Sequence, residues 1–144
     1  MSYAADVDSP RLEALPGHGG RFTPKLTGPW CCKRGALWPP YRATLRRADR
    51  RALDLSGASV EFVMRRRGDT DPWVQAPAEV LDAERGVVRY SWEQGDTALP
   101  GIFNAEFLIS DDEGLIARVP SDGYLSVHIL GNLSEPYEPD ELSA

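Results

Sequence analysis

The chain reads as an all-β protein, an antiparallel β-sandwich of about seven short strands, and three observations lead there. Apolar side chains recur at period two with bulky or aromatic members, as a pleated sheet with one buried face requires. Turn residues break that alternation at intervals of roughly 8–15 residues, the spacing of a strand-turn-strand protein. No long helical period occurs between residues 33 and 131.

The first strand has Tyr41, Ala43 and Leu45 on one face and Arg42, Thr44 and Arg46 on the other, before Ala48-Asp49-Arg50-Arg51 turns the chain. Leu53-Asp54-Leu55-Ser56-Gly57 links into a second, where Val60, Phe62 and Met64 alternate with Glu61, Val63 and Arg65. Beyond the turn Gly68-Asp69-Thr70-Asp71-Pro72, a weaker strand covers Trp73 to Leu81. Pro77 cannot donate to a ladder, which predicts that this strand lies at a sheet edge. The strongest signal follows: Val88, Tyr90 and Trp92 alternate with Val87, Arg89 and Ser91, and Phe103, Ala105 and Phe107 alternate with Asn104 and Glu106. Between them, residues 93–101 form a corner that must carry the chain from one sheet to the other. Gly95 and Gly101 supply backbone freedom there, Pro100 stiffens the exit, and Asp96 and Thr97 have short side chains suited to bonding local N–H groups. Asp111-Asp112-Glu113-Gly114 reads as a hairpin loop with glycine where positive φ is needed, Leu115 to Val119 as its return, and Leu125, Val127 and Ile129 as the last strand. The predicted core is Val60, Phe62, Val88, Tyr90, Trp92, Phe103, Ala105, Phe107, Val127 and Ile129.

Both ends have a different character. Residues 1–32 hold Pro10, Pro16, Gly17, Gly19, Gly20, Pro24, Gly28 and Pro29, a density of backbone breakers that predicts an extended N-terminal arm whose ordering needs a neighbour. Residues 132–144 include Ser134-Glu135-Pro136-Tyr137-Glu138-Pro139-Asp140-Glu141, an acidic, proline-rich tail read as a second arm. The domain proper is residues 33–131, and 144 residues suffice for one such core but not two.

A formal net charge of -6 argues against general nucleic-acid binding, which needs a basic surface. No apolar run approaches the roughly 20 residues that span a bilayer, and no basic segment leads into an apolar signal core, so neither membrane insertion nor classical export is expected. Cys31 and Cys32 are adjacent, the wrong spacing for a zinc knuckle, and read as reduced thiols at the edge of the fold, with an intermolecular contact or vicinal bridge as the alternative.

No reaction centre stands out. His18 falls in the arm and His128 on the polar face of the last strand, where a lone histidine is a surface or interface residue rather than a ligand. Asp111-Asp112-Glu113-Gly114 lacks the alternating oxygen ligands and distant glutamate of a calcium loop. Ser56, Ser91, Ser110 and Ser121 stand in no nucleophile elbow, and no cysteine pairs with a nearby histidine. No catalytic residue, metal, cofactor or small-molecule ligand is expected. The candidate functional residues are instead interface residues: Trp30, Trp38 and Trp73 outside the alternating core, and Arg65, Arg66 and Arg67 at a strand end, residue types enriched where proteins meet. Such arginines are either solvated strand ends, like Arg46-Arg47 and Arg50-Arg51, or receivers of a neighbour's acidic tail. Trp30 and Trp38 either anchor a partner or close the bottom of the sandwich.

One resemblance gives these features a context. Lys33-Arg34-Gly35, Pro39-Pro40-Tyr41-Arg42-Ala43-Thr44-Leu45 and Leu53 through Arg65, followed by Gly86 through Trp92, Gly95-Asp96-Thr97 and Pro100 through Phe107, resemble the N-terminal domain family of bacteriophage baseplate upper proteins. The resemblance runs from Lys33 to near Leu130. It departs at Asp49-Arg50-Arg51, where such families often place a glycine, and before the first strand, where Gly35-Ala36-Leu37 stands without a polar Asp-Thr pair. It implies an immunoglobulin-like sandwich serving as a virion building block. The expected function is therefore that of a non-enzymatic structural protein of a tailed phage, in its tail, baseplate or neck, assembled in the host cytoplasm with other virion proteins and copies of itself. A capsid decoration protein or a host- or carbohydrate-binding module, with Trp73 stacking on a sugar, is the alternative; an enzyme accessory domain ranks last.

Overall fold

In the computed structural model, described over residues 2–8 and 28–133, the alternating segments all form strands and no helix is present among them. Nine strands are found there: β1 (Tyr3–Val7), β2 (Trp30–Lys33), β3 (Tyr41–Arg47), β4 (Ser59–Arg66), β5 (Val74–Asp82), β6 (Val87–Tyr90), β7 (Gly101–Asp111), β8 (Gly114–Val119) and β9 (Leu125–Leu130). Their order is β1-β3-β6-β5-β4-β7-β9-β2, with β8 alongside the second half of β7. All ladders are antiparallel except β2 with β9, so the sheet is mixed, not purely antiparallel as expected.

The sheet is nearly closed. Tyr3 N–H donates to Ser121 Oγ at 2.8 Å and Ser121 N–H to the Tyr3 carbonyl at 3.0 Å, joining β1 to the link between β8 and β9. Inside, the alternation does what period two dictates: every predicted core residue lies in one buried cluster, none more than 6% exposed. At its centre Phe62 stacks against Tyr90, with ring centroids 4.8 Å apart, and touches Tyr41, Trp92 and Phe107.

The seven predicted strands correspond to β3 through β9, and two features differ. Within the predicted N-terminal arm, β1 pairs with β3 over Tyr3↔Arg47 to Val7↔Ala43, and β2 pairs with β9 over Trp30↔Val127 to Lys33↔Leu130. Tyr3, Ala5 and Val7 pack on or in the core, and Asp6 and Asp8 form ion pairs with Arg46 and Arg42 at 2.7 and 3.0 Å. The domain therefore begins well before residue 33. The remainder of that arm, residues 9–27, and the tail, residues 134–144, lie outside the described residues, as does His18.

Pro77 does not mark a sheet edge either. The first half of β5 pairs with β4, Glu61 lying opposite Pro77, and the second half pairs with β6 from Glu79 onward. Pro77 stands before the β6 ladder starts, so its missing N–H breaks no pairing inside an interior strand.

Two backbone positions explain local sequence choices. Gly86 has φ 70°, and a Cβ there would lie 2.6 Å from the Leu45 carbonyl oxygen and 2.7 Å from that of Leu53, a space only glycine fits. In the turn after β3, Arg50 takes φ 70° although it is not glycine. Its guanidinium reaches Asp6 Oδ2 at 3.2 Å, and Arg46 donates to its carbonyl at 3.2 Å, contacts that offset a left-handed cost of about 1–2 kcal/mol.

Candidate functional site

The corner between β6 and β7 organises one end of the sheet. Asp96 accepts hydrogen bonds from the Tyr90 hydroxyl and, at 2.9 Å, from Glu93 N–H, so its carboxylate ties the corner to the core in the structural role expected of it. Burial, followed by the bond to Asp96, pushes the Tyr90 hydroxyl well above the ordinary phenol range. Thr97, the buried polar side chain of the core, donates through Oγ1 to the Ala36 carbonyl at 2.8 Å rather than to a local group, while Gly35 N–H donates to the Thr97 carbonyl at 3.0 Å. Trp92 Nε1 donates to the Pro39 carbonyl at 3.1 Å and Trp73 Nε1 to the Asp96 carbonyl at 2.8 Å. Two loops distant in sequence, residues 34–40 and 67–73, are thereby fastened to one corner.

This end carries most of the predicted interface residues. Trp38 is 62% exposed and Trp73 44%, with Leu37 exposed beside Trp38. Arg65, Arg66 and Arg67 end β4 at the same loop, Arg65 and Arg67 exposed and Arg66 half-buried. Among the described residues none of these three forms an ion pair, whereas Arg46, Arg47, Arg50, Arg51, Arg85, Arg89 and Arg118 each do. Arg67 reaches only Asn104 Oδ1, at 3.5 Å.

Trp30 is the correction. It is 1% exposed, its ring 5.5 Å from that of Tyr41 and 5.4 Å from that of Trp92, so it fills this chain's own core and is no surface anchor. Pairing with β9 draws the strand inward, and alternation then points Trp30 in and Cys31 out.

The other candidates fall into structural roles. Asp111 Oδ1 accepts Glu113 N–H at 2.8 Å, closing the β7–β8 hairpin, and Gly114 supplies its φ of 126°. His128 Nε2 lies 3.1 Å from Ser126 Oγ. Burial, then nearby Arg67, lowers its pKa below the usual histidine value. Among the described residues no group of three His, Cys, Asp or Glu gathers to hold a metal.

Cys31 is exposed and both thiols are free. Burial, then the neighbouring Cys31, pushes the Cys32 thiol up to about 12. At pH 8 only about one Cys32 in ten thousand is then ionised, and the thiolate is the nucleophile. Iodoacetamide at that pH is expected to modify Cys31 and leave Cys32 intact, as peptide mass mapping would show; equal labelling of both would contradict this placement.

A concavity lies on the outer face of the sheet. The far edge of β7 is shared: β9 pairs with it up to Ala105↔Leu125, and β8 takes over at Phe107↔Val119. Glu106 sits in the fork between them, with Val63 opposite on β4. The fork opens a groove of about 310 Å³ lined by Gln75, Arg65, Asn104, Glu106, Arg118 and Tyr124 over Val63 and Leu108. Sequence reading missed these groove residues other than Arg65. The available signal was Phe107-Leu108-Ile109, which breaks the alternation of β7: Leu108 shares the outer face with Asn104 and Glu106 yet is only 9% exposed, because it floors the groove.

Neither a protein-family model nor a curated protein matches the chain.

Proposed function

We propose that this chain is a non-enzymatic structural protein of a tailed bacteriophage virion, a tail, baseplate or neck component whose all-β domain assembles through its corner end. The observation that carries the reading is the set of three arginines without a carboxylate partner among the described residues, Arg65, Arg66 and Arg67, beside the exposed Trp73 at the end that also carries the exposed Trp38 and Leu37. Exposed tryptophan and arginine together are the residue types from which interface hot spots are built. Both tryptophan loops are also fastened to the corner by hydrogen bonds, so less ordering entropy opposes binding there.

The acidic tail of a neighbouring copy, with Glu135, Glu138, Asp140 and Glu141, is the partner these arginines fit by charge. The pairing pattern is also compatible with an immunoglobulin-like sandwich. One layer would hold β1, β3, β6 and the second half of β5, the other β4, β7, β8, β9, β2 and the first half of β5, around the common aromatic core. The phage context itself rests on the likeness of residues 33–130 to baseplate upper proteins.

The test is incorporation. Particles purified from the bacterial strain that encodes the chain are expected to contain it, and a Trp38→Ala/Arg65→Ala variant, altered only at exposed side chains that make no hydrogen bond or ion pair among the described residues, should fold normally but enter particles at least about tenfold less. Absence of the wild-type chain from such particles, or undiminished incorporation of the variant, would overturn the proposal.

A further inference from the structure

The groove at the β7 fork borders the corner end and shares Arg65 and Pro72 with it, while its polar lining of Gln75, Asn104, Glu106, Arg118 and Tyr124 lies apart from Trp38 and the corner. We propose that it is a saccharide-binding site, taking one or two pyranose rings. Three features point to that chemistry. First, the groove holds convergent donors and acceptors with unused capacity: Gln75 and Tyr124 make no side-chain hydrogen bond among the described residues, and Asn104 accepts one long bond and keeps its amide donors. Glu106 meets Arg118 at 3.8 Å, beyond hydrogen-bonding range, so its carboxylate can still accept. A row of ring hydroxyls, each both donor and acceptor, matches a mixed set of amide, carboxylate, guanidinium and phenol groups.

Second, the floor is apolar. Val63 and Leu108 lie beneath the polar groups, and Tyr124, 58% exposed, stands at the rim as a flat aromatic wall. A pyranose has the same two-sided character, C–H faces and hydroxyl edges. The groove is also near the lower end of the size range of small-molecule sites, roughly 300–1,000 Å³.

Third, the competing ligands fit worse. A bare anion drawn by Arg65 and Arg118 meets Glu106 between them. A divalent cation finds one carboxylate among two guanidinium groups. An added peptide strand needs a free sheet edge, whereas the groove lies on the face of β4 and β7, both paired here.

The test uses the full-length chain, ¹⁵N-labelled and titrated with galactose and N-acetylglucosamine oligomers as neutral probes, oligogalacturonate as an acidic one, and inorganic phosphate as control. At least one saccharide should shift the amide signals around Gln75, Asn104, Glu106 and Tyr124, with a dissociation constant on the order of 1 mM or tighter. Response to the acidic probe alone assigns Arg65 a carboxylate; response to the neutral ones assigns it hydroxyls. Tyr124→Ala, at an exposed position, and Glu106→Gln, equal in shape, should each weaken binding about tenfold while leaving the remaining spectrum intact. The proposal is overturned by no response to any saccharide at about 10 mM, by the same shifts with phosphate, by shifts centred on Leu37 and Trp38, or by unchanged binding in both variants.

Discussion

Phe62→Ala is expected to destabilise the protein by about 3–5 kcal/mol, a large part of the roughly 5–15 kcal/mol that holds a domain of this size together. Phe62 is fully buried in the middle of β4, and its ring touches four others, those of Tyr41, Tyr90, Trp92 and Phe107, with centroids 4.8–5.7 Å away. Truncation removes the apolar surface of the benzyl group and leaves a hole that rings held from both sides cannot collapse to fill. It also removes several edge-to-face and stacked pairs, each worth about 0.5–1.5 kcal/mol beyond area burial. Urea unfolding followed by tryptophan fluorescence measures the loss, since Trp92 lies against the site. Leu115→Ala, on the exposed start of β8, is the internal comparison and should stay within about 0.5 kcal/mol of wild type. A Phe62→Ala loss below about 1 kcal/mol would mean that these rings do not form the core.

That core was legible because its residues lie on long alternating strands, where period two fixes which side chains turn inward before any partner strand is known. The missed strands show the limit of that rule. β1 is Tyr-Ala-Ala-Asp-Val, in which alanines blur the contrast between faces, and β2 is four residues between Pro29 and Gly35. What holds β2 is pairing with β9, about a hundred residues along the chain, and a local pattern carries no trace of it. For that reason the sequence leaves Trp30 open between a partner anchor and a closure of the sandwich. Pro77 misled in a subtler way. Proline does exclude a ladder bond, but a strand that exchanges one partner for another contains an edge within its interior.

The candidate sites divide along the same line. Arg65-Arg66-Arg67 and the tryptophans could be found by residue type, though not the corner that fixes Trp38 and Trp73 to one end. The groove depends on β8 and β9 sharing one edge of β7, a property of the strand order alone. Only Leu108, an apolar residue out of phase, betrayed it in the sequence.

Removing residues 1–30 should be more damaging than any single substitution, the reverse of what an assembly arm would show. The deletion takes away Trp30, whose loss alone should cost about 3–5 kcal/mol, since its ring lies between Tyr41 and Trp92 at 1% exposure. It also strips β1 from β3, uncovering the ladder edge of a strand whose other face is the core, and unpaired edges recruit other chains. Arg46 and Arg50 lose Asp6, and Arg42 loses Asp8, leaving basic charge on the exposed edge. Together these losses reach the whole stability of an ordinary domain. The truncated chain is expected to aggregate or to lack a cooperative unfolding transition by circular dichroism. Trp30→Ala in the full chain separates the core contribution and should keep its fold at a much lower midpoint. A soluble monomer of the truncated chain, unfolding near the full-length midpoint, would show that β1 and Trp30 are dispensable. Whichever way that comparison falls, it decides how assembly can be tested: if the first thirty residues build the domain, a deletion that abolishes incorporation reports misfolding, and only surface substitutions such as Trp38→Ala and Arg65→Ala report the interface.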